Sequence, residues 1–274
     1  MNPDVDARTH AKITTGKAEN KFGIPYARAR QVYADAARLP GIRIAGVDMH
    51  IGSQITDLAP YEAAYDRLAD LARALREDGH SIDHVDAGGG LGIPYRLDDP
   101  LPPEPAAYGE VVRRKLGNLG ARILFEPGRV FVGNAGILVT RVLYVKHGAA
   151  KTFVVVDAAM NDLIRPTLYD AHHDIRPVCE PGTTETVVVD VVGGICETGD
   201  YFALDRELPR LAAGDLVAIM TAGAYGAAEA SNYNTRALLP EIMVKGKEWA
   251  IVRPRQTYDE LIGQDRLAPW LAKA

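Results

Sequence analysis

The fold is decided by residues 82–92, IDHVDAGGGLG, in which a short apolar segment runs directly into a loop of glycines. We predict a strand over residues 82–86. Glycines lack a Cβ atom, so a loop of this kind lets backbone N–H groups approach phosphate oxygens closely. It is not a dinucleotide-binding loop, because the third glycine of G-x-G-x-x-G would fall on Ile93 or Tyr95. The glycines alone are equally typical of an ordinary turn.

The segments on both sides of this loop alternate between strand and helix. Strands are predicted over residues 42–50 and 122–125, and helices over residues 60–78 and 104–116. In the first helix apolar residues recur at helical spacing, Asp57 can cap the start, and Gly79 ends it. If residues 1–6 form a first strand, about four βα units precede residue 136, in a parallel barrel or a doubly wound sheet. Polar motifs at three successive strand ends favour the barrel.

From about residue 136 the sequence changes to short β-branched runs separated by Gly, Pro and Asp. Such runs predict strands. They cover residues 137–146, 152–156, 186–192, 215–220 and 248–252. We therefore predict α/β plus all-β architecture, with one domain over residues 1–135 and a second over residues 136–274.

The amino-acid composition limits the classes of protein to which this chain can belong. The chain has 274 residues, 47% of them hydrophobic and 24% charged, with a net charge of -5, which is typical of a soluble protein. Basic clusters with interleaved aromatics are absent from the sequence, so we expect no nucleic-acid partner. The apolar runs are far shorter than the roughly 20 residues of a membrane helix. We expect a cytoplasmic protein with Cys179 and Cys196 as free thiols.

Polar motifs follow three of the predicted strands. They are HIGSQ at residues 50–54, the glycine loop, and EPGR at residues 126–129, and the second half adds CETGD at 196–200 and GAY at 223–225. Singly, each has a plainer interpretation. His50 would be a structural histidine, Glu126 an ion-pair partner of Arg129, and Cys196 a small buried residue. His172 and His173 are adjacent and lack ligand spacing, so no metal site is predicted.

Together the five motifs resemble those of the fold-type III decarboxylases that use pyridoxal 5′-phosphate, most closely the diaminopimelate decarboxylases. The resemblance runs over essentially the whole chain. It implies a partial (β/α)8 barrel of the alanine-racemase type, followed by a β-barrel or β-sandwich domain. It also implies decarboxylation of meso-2,6-diaminopimelate to L-lysine and CO2.

The resemblance implies a role for each motif toward the cofactor. His50 corresponds to the residue that stacks on the cofactor ring, and Glu126 to the acid at the ring nitrogen. A carboxylate there keeps the nitrogen protonated and the ring a good electron sink. The other cofactor-binding residues implied are Ser53, Gly88, Gly89, Gly90, Gly128, Arg129 and Tyr225.

Substrate contacts are implied in the same way. Arg129 corresponds to the residue that binds the distal carboxylate, and Glu197 to the one that binds the distal ammonium. Cys196 corresponds to the acid that returns a proton to Cα, and in this family the cysteine and glutamate act across a homodimer with shared active sites. The further substrate-binding residues implied are Arg165, Tyr169 and Tyr225.

One departure concerns the lysine that holds the cofactor as a Schiff base in this family. Lys12, Lys17 and Lys21 lie in a stretch that resembles the family's mid-barrel sequence, and none of them matches that lysine. We therefore expect this chain to correspond to the C-terminal two-thirds of an enzyme and to be inactive alone. An arginine- or ornithine-type decarboxylase is one alternative, which the arginine pair Arg129 and Arg165 disfavours. A non-catalytic regulatory relative is the other.

Overall fold

A computed structural model describes residues 1–180, 182 and 185–271 of the chain. The chain forms two compact units, Met1–Ala135 and Gly136–Ala274. Within the described part of the chain, none of the helices combines the length and apolar character needed to cross a membrane.

The first unit alternates strands with helices around a three-stranded parallel sheet whose strands, β1 (Gly46–Asp48), β2 (His84–Asp86) and β3 (Arg122–Leu124), lie in chain order. Val47 pairs with Val85, and Val85 with Ile123, so the three strands are in line and end at one edge. Its elements are α1 (Ala29–Ala36), β1 (Gly46–Asp48), α2 (Ala59–Glu77), β2 (His84–Asp86), α3 (Pro105–Leu116), β3 (Arg122–Leu124) and α4 (Arg129–Val132).

Helix α2 matches its prediction to within one residue at each end. The Asp57 carboxylate accepts a hydrogen bond from Ala59 N–H at 3.0 Å, and Gly79 has φ +90°, a conformation that stops a helix. Its apolar face, which includes Tyr61 and Tyr65, is buried against the sheet. Burial of this face holds the helix, since one of this length gains most of its stability from tertiary packing.

The predicted first strand over residues 1–6 is wrong. This segment makes only a single bridge, between Asn2 and Pro25. The Asn2 amide donates to the carbonyl oxygens of Lys17 and Phe22, and Asp4 has φ +53°, which interrupts an extended chain. The first unit therefore holds three βα repeats instead of four.

The second unit is built on a six-stranded sheet in the order β6-β9-β4-β5-β7-β8. Only β5 and β7 pair in parallel. The end strands β6 and β8 also contact each other, so the sheet is nearly closed. Strands β10 and β11 form a separate antiparallel hairpin. The elements are β4 (Leu138–His147), β5 (Thr152–Val156), α5 (Arg165–Tyr169), β6 (Ile175–Pro177), β7 (Thr186–Val192), β8 (Tyr201–Pro209), β9 (Leu216–Ile219), β10 (Glu241–Lys245), β11 (Glu248–Arg253) and α6 (Tyr258–Ile262).

The predicted fold class, α/β followed by all-β, is confirmed. All five strands predicted beyond residue 136 are present, as β4, β5, β7, β9 and β11. Strands β8 and β10 and the short elements α5, β6 and α6 were not predicted from the sequence. Helix α5 contains a proline and only five residues, too few for a periodic pattern to appear.

The glycine loop is wedged between the backbones of the loops that follow β1 and β3. A Cβ atom on Gly88 would overlap the Met49 carbonyl oxygen, and one on Gly89 would overlap the Glu126 carbonyl oxygen. Gly90 is confined in the same way by Gly52, and it has φ +99°. Tertiary packing thus requires glycine here.

We predict that Gly89→Ala destabilises the first unit by about 1–3 kcal/mol, the usual cost of forcing an extra carbon into a packed site. Gly109→Ala is the matched control. Gly109 lies inside α3 with open space around it, so alanine there stabilises by about 0.5–1 kcal/mol through helix propensity. Urea unfolding followed by circular dichroism measures both. Equal effects of the two substitutions would contradict the packing argument.

Candidate functional site

The three strand-end motifs of the first unit lie side by side. Met49 N–H donates to Asp86 O at 3.2 Å, and Glu126 N–H donates to Gly88 O at 2.9 Å. These bonds extend the parallel pairing beyond the strands. His50, the glycine loop and Glu126 are therefore brought to one edge of the sheet.

His50 is oriented by the glycine loop. Its Nδ1 accepts a hydrogen bond from Gly89 N–H at 3.3 Å, and its carbonyl oxygen accepts one from Thr15 Oγ1 at 3.0 Å. An Nδ1 that accepts leaves the proton of a neutral ring on Nε2. The half-buried imidazole is thus fixed on both its backbone and its ring.

Arg129 joins two of the loops at this edge. It is the first residue of α4 and is only 6% exposed. Its guanidinium donates to Ser53 Oγ at 3.0 Å and to the Tyr95 hydroxyl, and it lies 5.6 Å from the centre of the Tyr95 ring. Sequence analysis missed Tyr95, because an aromatic residue after a glycine loop has no distinctive spacing. Ser53 and Arg129 together place hydroxyl and cationic donors beside the glycines.

Three carboxylates gather at the same edge. One oxygen each of Asp48, Asp86 and Glu126 lies within 4.8 Å of the others. Asp86 also accepts a hydrogen bond from Gly88 N–H at 2.9 Å. Sequence analysis had singled out only Glu126. Carboxylates so close to one another favour a cationic group between them.

Gly128 precedes Arg129 at the start of α4. It is exposed, with open space where a Cβ atom would lie. The first unit therefore contains eight of the predicted site residues at or beside one sheet edge. They are His50, Ser53, Gly88, Gly89, Gly90, Glu126, Gly128 and Arg129.

In the second unit Arg165 and Tyr169 stand at the two ends of α5. Arg165 is 6% exposed and pairs with His173 through Nη1 and Nε2 at 2.8 Å, while Tyr169 is half-buried. The helix is tied to the loop that carries Cys196 by a hydrogen bond from Thr167 Oγ1 to Gly199 O at 2.5 Å. Arg165 and Cys196 thus belong to one connected part of the unit.

Cys196 and Glu197 are exposed on that loop. The plainer interpretation of Cys196 as a buried small residue is therefore wrong. Glu197 Oε2 accepts a hydrogen bond from the Tyr233 hydroxyl at 2.7 Å, and this bond raises the pKa of Tyr233. A thiol, a carboxylate and a phenol are presented together.

The shape of this loop depends on Asp200, which is 3% exposed. Its two carboxylate oxygens accept hydrogen bonds from Ile195 N–H and Met160 N–H, both at 2.6 Å. Burial raises the pKa of Asp200. A Cβ atom on Gly193 would overlap the carboxylate, so the loop closes tightly on this side chain.

Tyr225 adopts a left-handed backbone conformation with φ +59° and is 42% exposed. An aromatic residue rarely occupies this region, and such strain concentrates at functional sites. The preceding Gly223 packs so closely on Gly136 that the latter has no room for a Cβ atom. The turn is therefore held in place by its neighbours.

His172 and His173 have both ring nitrogens engaged in hydrogen bonds. Those of His172 pair with Arg206 and Asp174 at 3.0 and 2.8 Å. Those of His173 pair with Arg165 and with Met220 O, each at 2.8 Å. The two histidines serve a hydrogen-bond network.

We predict that Asp200→Asn destabilises the second unit by about 1–3 kcal/mol, because the amide nitrogen of asparagine cannot accept the second backbone N–H. Amide exchange at Ile195 and Met160 should become faster. Asp205→Asn is the control, since Asp205 is exposed and makes an ion pair with Lys151; its effect should stay within about 0.5 kcal/mol. Unchanged exchange at both amides would contradict the role of Asp200.

Known proteins are similar to this chain over nearly its whole length. The family described as "Pyridoxal-dependent decarboxylase, C-terminal sheet domain" matches residues 19–223. The chain is 49% identical over 271 residues to a diaminopimelate decarboxylase of Zymomonas mobilis, covering 99% of this chain and 64% of that protein. It is 50% identical over 269 residues to one of Pseudomonas fluorescens, covering 98% and 64%.

A solved structure is similar as well. The diaminopimelate decarboxylase of Helicobacter pylori, complexed with L-lysine, superposes with a TM-score of 0.90 at 38% sequence identity. The match covers 96% of this chain and 65% of that chain. This chain therefore spans about 64% of the length of the curated relatives it matches.

Proposed function

Because this chain belongs to the family of pyridoxal-dependent decarboxylases, we propose that it carries a large part of the active site of a diaminopimelate decarboxylase. The proposed reaction removes one carboxylate of meso-2,6-diaminopimelate and yields L-lysine and CO2. Its similarity to diaminopimelate decarboxylases along almost its entire length supports this choice.

The observation that carries the proposal is the pairing of two opposite electrostatic environments at one sheet edge. Ser53 and the buried Arg129 supply donors suited to a phosphate. Asp86 and Glu126 belong to the carboxylate cluster suited to a protonated ring nitrogen. Pyridoxal 5′-phosphate has both groups on one ring, so the residues present fit this cofactor.

When bound, the cofactor supplies an electron sink for the electron pair that remains after CO2 leaves. Glu126 would keep the ring nitrogen protonated, and His50 would stack on the ring. The phosphate would be held by Ser53, Gly128, Arg129 and the glycine loop. A loop without side chains allows the backbone to come close to the phosphate oxygens.

For the substrate, we propose that Arg165 binds the carboxylate that is retained, because a guanidinium forms two parallel hydrogen bonds with a carboxylate. Glu197, oriented by Tyr233, binds the distal ammonium. Cys196 delivers a proton to Cα. We further propose a cytoplasmic homodimer in which Cys196 and Glu197 act in the partner copy's site. Tyr169, Tyr225 and Arg129 complete the proposed substrate contacts.

An arginine- or ornithine-type decarboxylase is disfavoured by charge. Those substrates carry a cationic distal group and no distal carboxylate, whereas two arginines, Arg129 and Arg165, suit a substrate with two carboxylates. Retention of the site residues likewise argues against a purely regulatory relative. The two kinds of decarboxylase differ in substrate preference and a regulatory relative has no activity, so an assay with diaminopimelate, arginine and ornithine separates the three.

The decisive experiment compares this 274-residue chain with the product of the complete reading frame that contains it. Both are assayed for CO2 release from meso-diaminopimelate, arginine and ornithine with added cofactor. We expect the complete product to act on diaminopimelate. We expect the 274-residue chain alone to be silent, since Lys12, Lys17 and Lys21 do not match the family's cofactor-binding lysine. Preference for arginine or ornithine would overturn the substrate assignment.

In the complete product, Arg129→Lys should lower kcat/KM for diaminopimelate by about 10- to 100-fold, the cost of losing hydrogen bonds made by a charged group. A lysine ammonium cannot span Ser53 and Tyr95 as the guanidinium does. Arg113→Lys is the control, since Arg113 is an exposed partner of Glu110. A kcat/KM equal to that of the control would remove Arg129 from the site.

A further inference from the structure

We propose that His173 is a positioning residue that aims the Arg165 guanidinium at the substrate carboxylate, and so contributes to the preference for substrates that keep a carboxylate at the distal centre. This inference rests on the function proposed above. Neither the resemblance of the motifs nor the order of the elements assigns a role to His173.

The backbone brings the two residues together over a separation of eight positions. Helix α5 ends at Tyr169, and the next residue, Asp170, has a left-handed conformation with φ +52°. Ala171 N–H then donates back to Arg165 O at 3.3 Å. This reversal places His173 beside Arg165, where His173 is fully buried and Arg165 is 6% exposed.

The hydrogen bonds fix the protonation of the ring. A guanidinium can only donate, so His173 Nε2 accepts from Arg165 at 2.8 Å. A carbonyl oxygen can only accept, so Nδ1–H donates to Met220 O at 2.8 Å. His173 is therefore a neutral imidazole with its proton on Nδ1.

The ring is also held from its backbone. Arg206 Nη1 donates to His173 O at 2.9 Å, and Met220 N–H donates to the carbonyl oxygen of Asp174 at 2.8 Å. Ring and main chain are thus anchored to β8 and to the end of β9. His173 forms a rigid acceptor against which a long, flexible arginine side chain is placed.

A fixed acceptor has a direct consequence for binding. The guanidinium is planar, so a hydrogen bond at Nη1 restricts the directions in which its other N–H groups point. Fixing an arginine before it meets a carboxylate removes part of the entropy cost of binding. Arg165 also lies on a helix that Thr167 ties to the carbonyl oxygen of Gly199, so the helix that carries the guanidinium is itself held in place.

Two carboxamide variants test the two hydrogen bonds of the His173 ring separately. The nitrogen of asparagine replaces Nδ1, so His173→Asn keeps the bond to Met220 and loses the acceptor for Arg165. The oxygen of glutamine reaches the position of Nε2, so His173→Gln keeps that acceptor. His172→Asn is the matched control, because His172 pairs with Asp174 and Arg206 instead.

The experiment uses the complete gene product loaded with cofactor and measures binding by calorimetry. The ligands are L-lysine, which keeps a carboxylate, and cadaverine, which lacks it. We expect His173→Asn to weaken L-lysine binding at least about tenfold and cadaverine binding less than twofold. His173→Gln and His172→Asn should bind both ligands within about threefold of the wild type.

The outcomes are distinguishable. A wild type that binds neither ligand contradicts the proposed function, and this inference with it. If the wild type binds L-lysine and His173→Asn binds it equally well, the inference fails while the proposed function stands. Equal losses for L-lysine and cadaverine mean that His173 only supports the fold, which also overturns it.

A measurement on the wild type needs no substitution, so it tests the proposal even if a variant does not fold. The 15N chemical shifts of His173 should show a protonated Nδ1 and an unprotonated Nε2. The opposite tautomer, or a doubly protonated ring, would contradict the pairing with Arg165.

Discussion

The proposed site depends on a contact between backbones. Three loops converge after β1, β2 and β3, and the middle one, Gly88–Gly90, fills a gap that leaves no room for a Cβ atom. Because the loops touch through main-chain atoms, His50 and Glu126 are held at fixed positions on either side. The hydrogen bonds from Gly89 N–H to His50 and from Glu126 N–H to Gly88 O follow from this contact. A side chain on the middle loop would push both functional groups apart.

Much of the fold could be predicted from sequence because its signals are local. Helix α2 carries its apolar stripe and its terminal signals within residues 57–79, and the β-branched runs of the second unit are equally self-contained. The error over residues 1–6 arose because Asn2 and Asp4 hold that segment through hydrogen bonds to residues 14 to 20 positions away. No periodicity reports such contacts.

The residues of the candidate site also fall into two groups, those that could be found from the sequence and those that could not. Glu126 and Cys196 could be selected because they stand in recognisable motifs, whereas the groups that orient the site residues could not. Tyr95 and His173 contact Arg129 and Arg165 from separate loops, and Asp48 joins the carboxylate cluster only through the strand register. Their roles follow from the packing of elements distant in sequence.

In the loop that ends at Asp200, the residues that fix the path of the main chain differ from those that carry the reactive groups. Asp200 and Gly193 determine the path of the main chain, while Cys196 and Glu197 project from it into solvent. Thr198 is exposed as well. A substitution among these projecting residues therefore leaves in place the two hydrogen bonds of Asp200 that set the path. Such a loop can acquire a new chemical specificity by single exchanges, without passing through misfolded intermediates during its evolution.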